Sequence, residues 1–251
     1  MRLKITNIKN LNNIPEGITE LIITDLGLTT LPKLPQSLTY LDCSSNKLTN
    51  LKGPDAVIGL PQGLKKLDCS NNKITSLDNL PNSLTTLYCN YNRIASLDNL
   101  PNSLTTLYCE HNKLTSLDNL PQGLTKLRCG ENKLTILDLP QSLTYLDCSR
   151  NKITSLEKLP FYLTVFNCSR NKITSLEKLP FYLTVFNCWS NKLTSIDISD
   201  CNELDDFNSY NNKFPEEMQT ILDDNTLLTQ EKIKKLIDGC LIPYDNSFVL
   251  K

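Results

Sequence analysis

The sequence predicts a mostly-β solenoid of about eleven stacked coils, and three observations carry that expectation. The stretch SRNKITSLEKLPFYLTVFNC fills residues 149–168 and recurs letter for letter as residues 169–188. An eleven-residue pattern, L-x-x-L-x-C-x-x-N-x-L, returns along most of the chain at steps near twenty. Prolines return at one phase of that period, at Pro81, Pro101, Pro121, Pro140, Pro160 and Pro180. A globular core places neighbouring positions in different surroundings, so it has no use for a verbatim copy. In a solenoid every interior coil meets the same neighbours, and a copy fits.

The clearest copies are LTYLDCSSNKL (38–48), LKKLDCSNNKI (64–74), LTTLYCNYNRI (84–94), LTTLYCEHNKL (104–114) and LTKLRCGENKL (124–134). They continue as LTYLDCSRNKI (143–153), LTVFNCSRNKI (163–173) and LTVFNCWSNKL (183–193). Weaker copies lie at 18–28 and 204–214, and residues 1–11 read as a degenerate first coil. The starts step by twenty except for 26 (38 to 64), 19 (124 to 143) and 21 (183 to 204). Each copy predicts a short strand over about its third to seventh positions. Strand side chains alternate, so the fourth and sixth positions point inward and the third, fifth and seventh outward. The prolines forbid helices between the strands. The convex side is therefore expected to be extended or polyproline-like, giving a gently curved solenoid with a parallel sheet on its concave face.

Two columns run through the repeat. Cys43, Cys69, Cys89, Cys109, Cys129, Cys148, Cys168 and Cys188 occupy the inward sixth position. Neighbouring thiols in such a column point the same way and do not converge on a metal, so reduced packing thiols are expected, with no metal site and no cofactor. Asn46, Asn72, Asn92, Asn112, Asn132, Asn151, Asn171, Asn191 and Asn212 sit where the chain leaves the strand. An amide there is suited to pairing with backbone groups that the turn leaves open.

The twenty-residue form with L-P before the pattern resembles the bacterial-type leucine-rich repeats of the YopM and IpaH effector kind. The strand cysteines and the off-phase coil LTSIDISDCNELDDFNSYNNKF (193–214) resemble the internalin J variety, and the Asn- and Lys-rich composition is also similar to leucine-rich-repeat proteins of giant viruses. The resemblance covers about residues 1–214 and implies a leucine-rich repeat solenoid of the α/β horseshoe class, working as a non-catalytic protein–protein interaction module. Effectors of the IpaH kind carry a large ubiquitin-ligase domain after their repeats. Only 37 residues follow Phe214, so that activity is not carried over. The alternatives are a structural component of a virion or cell surface, or an adaptor that recruits an enzyme such as a ubiquitin ligase.

Binding is expected on the outward strand positions and the turns that follow them. There Tyr88, Tyr91, Tyr108, His111 and Arg128 cluster on three successive coils, with Tyr145, Arg150, Arg170 and Trp189 further on. Exposed Tyr, Trp and Arg dominate interface energetics, so these nine are the candidate partner-binding residues. Tyr88, Tyr91 and Tyr108 are expected in register, with Arg128 next. Catalysis is not expected: the chain has one His, and no Ser–His–Asp set or glycine-rich phosphate loop accompanies it.

The formal net charge is −1, from 26 basic and 27 acidic residues. No global field steers such a chain to nucleic acid or an anionic membrane, and the outward basic residues are mixed with acids; nucleic acid is not expected as a partner. No apolar run suits a signal peptide or a spanning helix, so no membrane insertion is expected. Unpaired thiols add a reducing compartment: the cytoplasm, or a host cytoplasm for a bacterial effector or viral protein. A monomer is expected.

Two segments break the repeat. The step of 26 puts about six extra residues, marked by Gly53, Pro54 and Gly59, into a loop near 52–59. After Phe214, PEEMQTILDD and TQEKIKKLIDG read as two helices, with Thr229 as N-cap and Gly239 as stop. A solenoid end exposes its core, so residues 215–251 are expected to form a helical C-terminal cap on the solenoid of residues 1–214.

Overall fold

The computed structural model describes residues 1–53, 59–176, 178–224 and 226–239. The loop insertion near 52–59 falls largely outside the described residues, as does the end of the expected cap. The chain divides into two compact units, Met1–Lys133 and Leu134–Lys251.

The first unit carries β1 (Arg2–Lys4), β2 (Glu20–Ile22), β3 (Tyr40–Asp42), β4 (Lys66–Asp68), β5 (Thr86–Tyr88), β6 (Thr106–Tyr108) and β7 (Lys126–Arg128). All pair parallel and in sequence order, residue for residue: Leu41 lies opposite Leu67, Leu67 opposite Leu87, Leu87 opposite Leu107. The second unit carries β8 (Tyr145–Asp147), β9 (Val165–Asn167), β10 (Val185–Asn187) and β11 (Asp206–Asn208), also parallel and in order. Two helices follow, α1 (Glu216–Asp223) and α2 (Thr229–Asp238). Neither is long and apolar enough to cross a membrane.

Each strand is three residues, shorter than the sequence predicts, and spans the third to fifth positions of the repeat. The sixth residue still extends the ladder: the Cys43 N–H donates to the Asp68 carbonyl at 2.8 Å, and that of Cys89 to Tyr108 at 2.8 Å. What ends the strand is the eighth residue. Ser45, Asn71, Tyr91, His111 and Glu131 in the first unit, and Arg150, Arg170, Ser190 and Asn211 in the second, all adopt left-handed φ values of 51–58°. Non-glycine residues rarely go there, and one per coil swings the chain off the sheet.

The inward columns form the core as expected. Leu41, Cys43, Leu67, Cys69, Leu87, Cys89, Leu107 and Cys109 are fully buried. The thiols of Cys43, Cys69, Cys89 and Cys109 form no disulfide and donate to carbonyls of the next coil, and burial pushes each described column thiol that shifts upward, away from ionisation. The asparagine column is a hydrogen-bond ladder. Asn92 Nδ2 donates to the carbonyls of Cys89 in its own coil and Cys69 in the preceding one, while its Oδ1 accepts from Ile74 N–H at 3.0 Å. Between strands the described chain runs as extended stretches broken by turns, such as those closed by Leu84 N–H on Pro81 and Leu104 N–H on Pro101, and Ile8–Asn13 of the first coil form a 3-10 helix. No proline interrupts that stretch, and Asn7 nucleates it by accepting from the Lys9 N–H at 3.0 Å.

Thr229 is the first residue of α2 rather than its N-cap, which is Leu228. The Leu228 N–H donates to the Glu231 carboxylate at 2.7 Å, and that bond replaces the hydroxyl cap. The Thr229 hydroxyl donates instead to the Asp205 carbonyl at 2.6 Å, beside Gln230 Nε2 on the Leu204 carbonyl at 2.9 Å. Gly239 closes the helix as expected, donating to Lys235 at 3.0 Å.

Candidate partner-binding face

Parallel pairing in strict register stacks every outward side chain on its counterpart one coil away, ~4.8 Å along the sheet. In the first unit the fifth position therefore builds a row of Asp42, Asp68, Tyr88, Tyr108 and Arg128. The rings of Tyr88 and Tyr108 lie 5.0 Å apart at 57°, and the Arg128 guanidinium lies 5.0 Å over Tyr108. Lys66, at the third position, stands 5.1 Å from both the Tyr40 and Tyr88 rings. Cations over ring faces at these distances are attracted by the ring quadrupole.

The row has a perturbed chemistry at its β3–β4 end. Burial, then the Asp42 and Asp68 carboxylates, push the Tyr40 phenol up to about 12. Burial also raises the Asp68 carboxyl, against hydrogen bonds from Ser70 that stabilise its charge. Among the described residues no three His, Cys, Asp or Glu side chains are grouped as metal ligands would be.

Tyr91 stands apart from the row in which the sequence places it. It occupies the eighth position, so its ring joins His111 instead, stacked at 4.0 Å and 17°. His111 Nδ1 in turn lies 3.0 Å from the Glu131 carboxylate. The first unit thus carries two parallel rows, one on the strands and one on the turns.

In the second unit the Arg170 guanidinium lies 4.3 Å over the Trp189 ring. Tyr145 opens the third position on β8, and Arg150 takes the left-handed turn position after that strand. The fifth position becomes amide-rich, with Asn167 Nδ2 donating to Asp147 at 3.1 Å.

Lys66 and Tyr40 belong to the face and were not among the predicted site residues. The exposed aromatics of the turns before β9 and β10 were also missed: Phe161, Tyr162, Phe181 and Tyr182. Tyr162 and Tyr182 stack at 5.9 Å and 21°, with Phe161 edge-on to Tyr182 at 5.7 Å. Their signal was present as LPFY where other coils read LPNS, LPQG or LPQS.

The family model of leucine-rich repeats in two copies matches residues 36–82 and 82–122. Among solved structures, YopM from Yersinia enterocolitica WA-314 is 33% identical with a TM-score of 0.67, over 81% of this chain and 49% of that one. The functional domain of InlJ from Listeria monocytogenes, described as including a cysteine ladder, is 38% identical with a TM-score of 0.61, over 67% of this chain and 41% of that one. A Shigella effector leucine-rich repeat domain is 31% identical with a TM-score of 0.56, over 65% of this chain and 78% of that one. The chain thus spans about half the length, or less, of the first two structures. No curated protein matches the sequence. Folds of this kind present extended surfaces for binding other proteins. The buried cysteine column, the asparagine ladder, the strand register and these likenesses place the chain in the leucine-rich repeat family, in its bacterial form.

Proposed function

We propose that the chain is a non-catalytic interaction module that binds a protein partner through the outward face of its sheet, centred on Tyr88, Tyr108 and Arg128. The observation that carries this reading is the row itself: two tyrosine rings and a guanidinium in mutual contact, on a face that the core does not use. Such side chains become anchors when a partner desolvates them. Tyr91 and His111 extend the contact surface in the first unit, and Tyr145, Arg150, Arg170 and Trp189 add to it in the second. A catalytic reading finds no support in a face whose only histidine is committed to a tyrosine ring and a glutamate.

Residues 215–251 serve as a cap on the solenoid of residues 1–214 in this reading. Its support is the pair of bonds from Thr229 and Gln230 to the last coil, with Met218, Leu222, Ile233 and Leu236 buried. The neutral, buried thiols favour a reducing compartment such as the cytoplasm.

The test begins with affinity capture and identification of a partner. Tyr88→Ala with Tyr108→Ala should then weaken its binding by well over about tenfold, since interface anchors of this kind are worth ~2 kcal/mol or more each. Folding should be unchanged by circular dichroism. Asp78→Ala with Asp98→Ala, on the side away from the strands, should leave binding intact. Loss of binding in the aspartate pair but not the tyrosine pair would assign the wrong face.

A further inference from the structure

We propose that the tenth position of the repeat forms a cationic rail that binds single-stranded nucleic acid. In the first unit this position reads Lys47, Lys73, Arg93, Lys113 and Lys133, and every one is exposed. Their backbone N–H groups donate at 2.8 Å to the eleventh residue of the preceding coil: Lys47 to Leu28, Lys73 to Leu48, Arg93 to Ile74, Lys113 to Ile94 and Lys133 to Leu114. The five cations are therefore locked in register on consecutive coils, most of them one strand spacing of ~4.8 Å apart. Among the described residues none of them forms an ion pair. In the second unit Lys152, Lys172, Lys192 and Lys213 repeat the arrangement, each donating at 2.8–2.9 Å to the coil before.

The near-zero net charge conceals this segregation. Three of the compensating acids have a column of their own, Asp78, Asp98 and Asp118 in the first unit, five residues further along and beyond the buried Leu77, Leu97 and Leu117, while Glu131 lies beside the rings, 3.0 Å from His111. A row of unpaired like charges at this spacing repels itself, and a linear polyanion relieves it by releasing counterions.

The neighbouring rings select among polyanions. Tyr91 and His111 precede Arg93 and Lys113 by two residues, and the asparagine between each pair turns inward to the ladder. Tyr91 is 55% exposed and stacks on His111 with nearly parallel planes. Cations that track phosphates beside ring faces that accept unpaired bases are the two elements of single-strand binding. An acidic peptide, a sulfated glycan or a lipid headgroup has no base to place on those rings, and a duplex keeps its bases stacked internally.

The experiment is fluorescence anisotropy of the full chain with labelled oligothymidylate across a salt titration. Lys73→Gln with Arg93→Gln and Lys113→Gln should lower affinity at least about tenfold and flatten the slope of log K on log salt by about two, at ~0.7 per charge removed. Lys4→Gln with Lys33→Gln and Lys65→Gln removes the same charge off the rail and should change affinity less than about twofold if the rail is the site. Tyr91→Ala with His111→Ala should weaken oligothymidylate but not heparin or polyglutamate. Tyr88→Ala with Tyr108→Ala should leave oligothymidylate binding alone, which separates this site from the sheet face. The proposal is overturned if the wild-type chain does not bind at low salt, or if the two lysine sets lose affinity equally. It is also overturned if heparin, polyglutamate or anionic vesicles bind more tightly than oligothymidylate, or if the ring variant binds oligothymidylate as the wild type does.

Discussion

The coils around β5 to β7 and those around β9 and β10 solve the same stacking problem in opposite ways. In the first group the buried fourth position is Leu87, Leu107 and Leu127, while the outward fifth position changes from Tyr88 and Tyr108 to Arg128. In the second group both positions are copied. Phe166 and Phe186 stack inside at 5.4 Å and 9°, and Phe186 meets Phe207 at 5.5 Å and 15°. Asn167 and Asn187 repeat outside, and the copied Phe-Tyr pair before each strand leaves aromatic rings in water. In register, an identical residue must meet its own copy at strand spacing. Flat rings and amides gain from that meeting, because rings stack and amides donate and accept. Half-buried charges gain nothing from copying: burial raises the Asp68 carboxyl, and its copy Asp42 adds to the rise. Copying therefore favours stacking of like on like, and variation gives the outward face of the first group its mixed chemistry.

The cysteine column is common to both groups, so the broadest way to break the comparison is to ionise it. Burial raises the column thiols well above an ordinary 9.0, among them Cys43, Cys89, Cys109 and Cys168. A group whose folded pKa is raised contributes stability that is complete below the unfolded value and is lost as pH rises through the folded one. Urea midpoints should hold up to about pH 9 and then fall steeply, by ~1.4 kcal/mol per buried thiol per pH unit. Cys89→Ala with Cys109→Ala should flatten the fall. A midpoint that stays level to about pH 11 would show that the column is open to solvent.

Removing one ring from the copied stack is the next largest effect. Phe186→Ala should cost ~3–5 kcal/mol in chemical denaturation, because it strips contacts from rings on both sides. Leu107→Ala, equally buried in the varied group, should cost less, toward the lower end of ~2–5 kcal/mol. If Leu107→Ala proves the more damaging, ring stacking is not what distinguishes the copied coils.

Deleting residues 169–188 should have the smallest effect. The deletion joins Cys168 to Trp189, reproducing the junction that already follows Cys188. The shortened chain should fold cooperatively with only a modest loss in its melting temperature, since each coil contacts only its neighbours. Aggregation of the shortened chain would mean that β9 and β10 are not interchangeable.

Period, strand order, the inward columns and both helices were legible in the sequence, because each follows from a repeat that is read by counting. Two kinds of detail were not. Strand length was overestimated because nothing in residues as different as Tyr91, His111, Glu131 and Arg150 announces a shared left-handed backbone. That same turn moved Tyr91 out of the Tyr88 row and onto His111. The site was judged on clustered Tyr, Trp and Arg of the strands and the turns that follow, so the Lys66 contacts to Tyr40 and Tyr88 and the tenth-position cations escaped notice. A residue type that recurs in every coil is easily taken for background, and Lys in N-K-L was the case in point.

The asparagine ladder has a direction, and the direction has a consequence for synthesis. Each amide serves the coil before its own: Asn92 completes Ile74, Asn132 completes Leu114, and Asn171 completes Ile153. A coil emerging from the ribosome therefore holds an open backbone N–H until the following asparagine arrives about eighteen residues later. Folding along the nascent chain must trail translation by one coil, and a stalled ribosome always leaves the newest coil unfinished. A chain trimmed from its back leaves the Ile74-type N–H without its amide oxygen, whereas one trimmed from its front removes the carbonyls that accept from the next coil's tenth-position N–H and asparagine Nδ2.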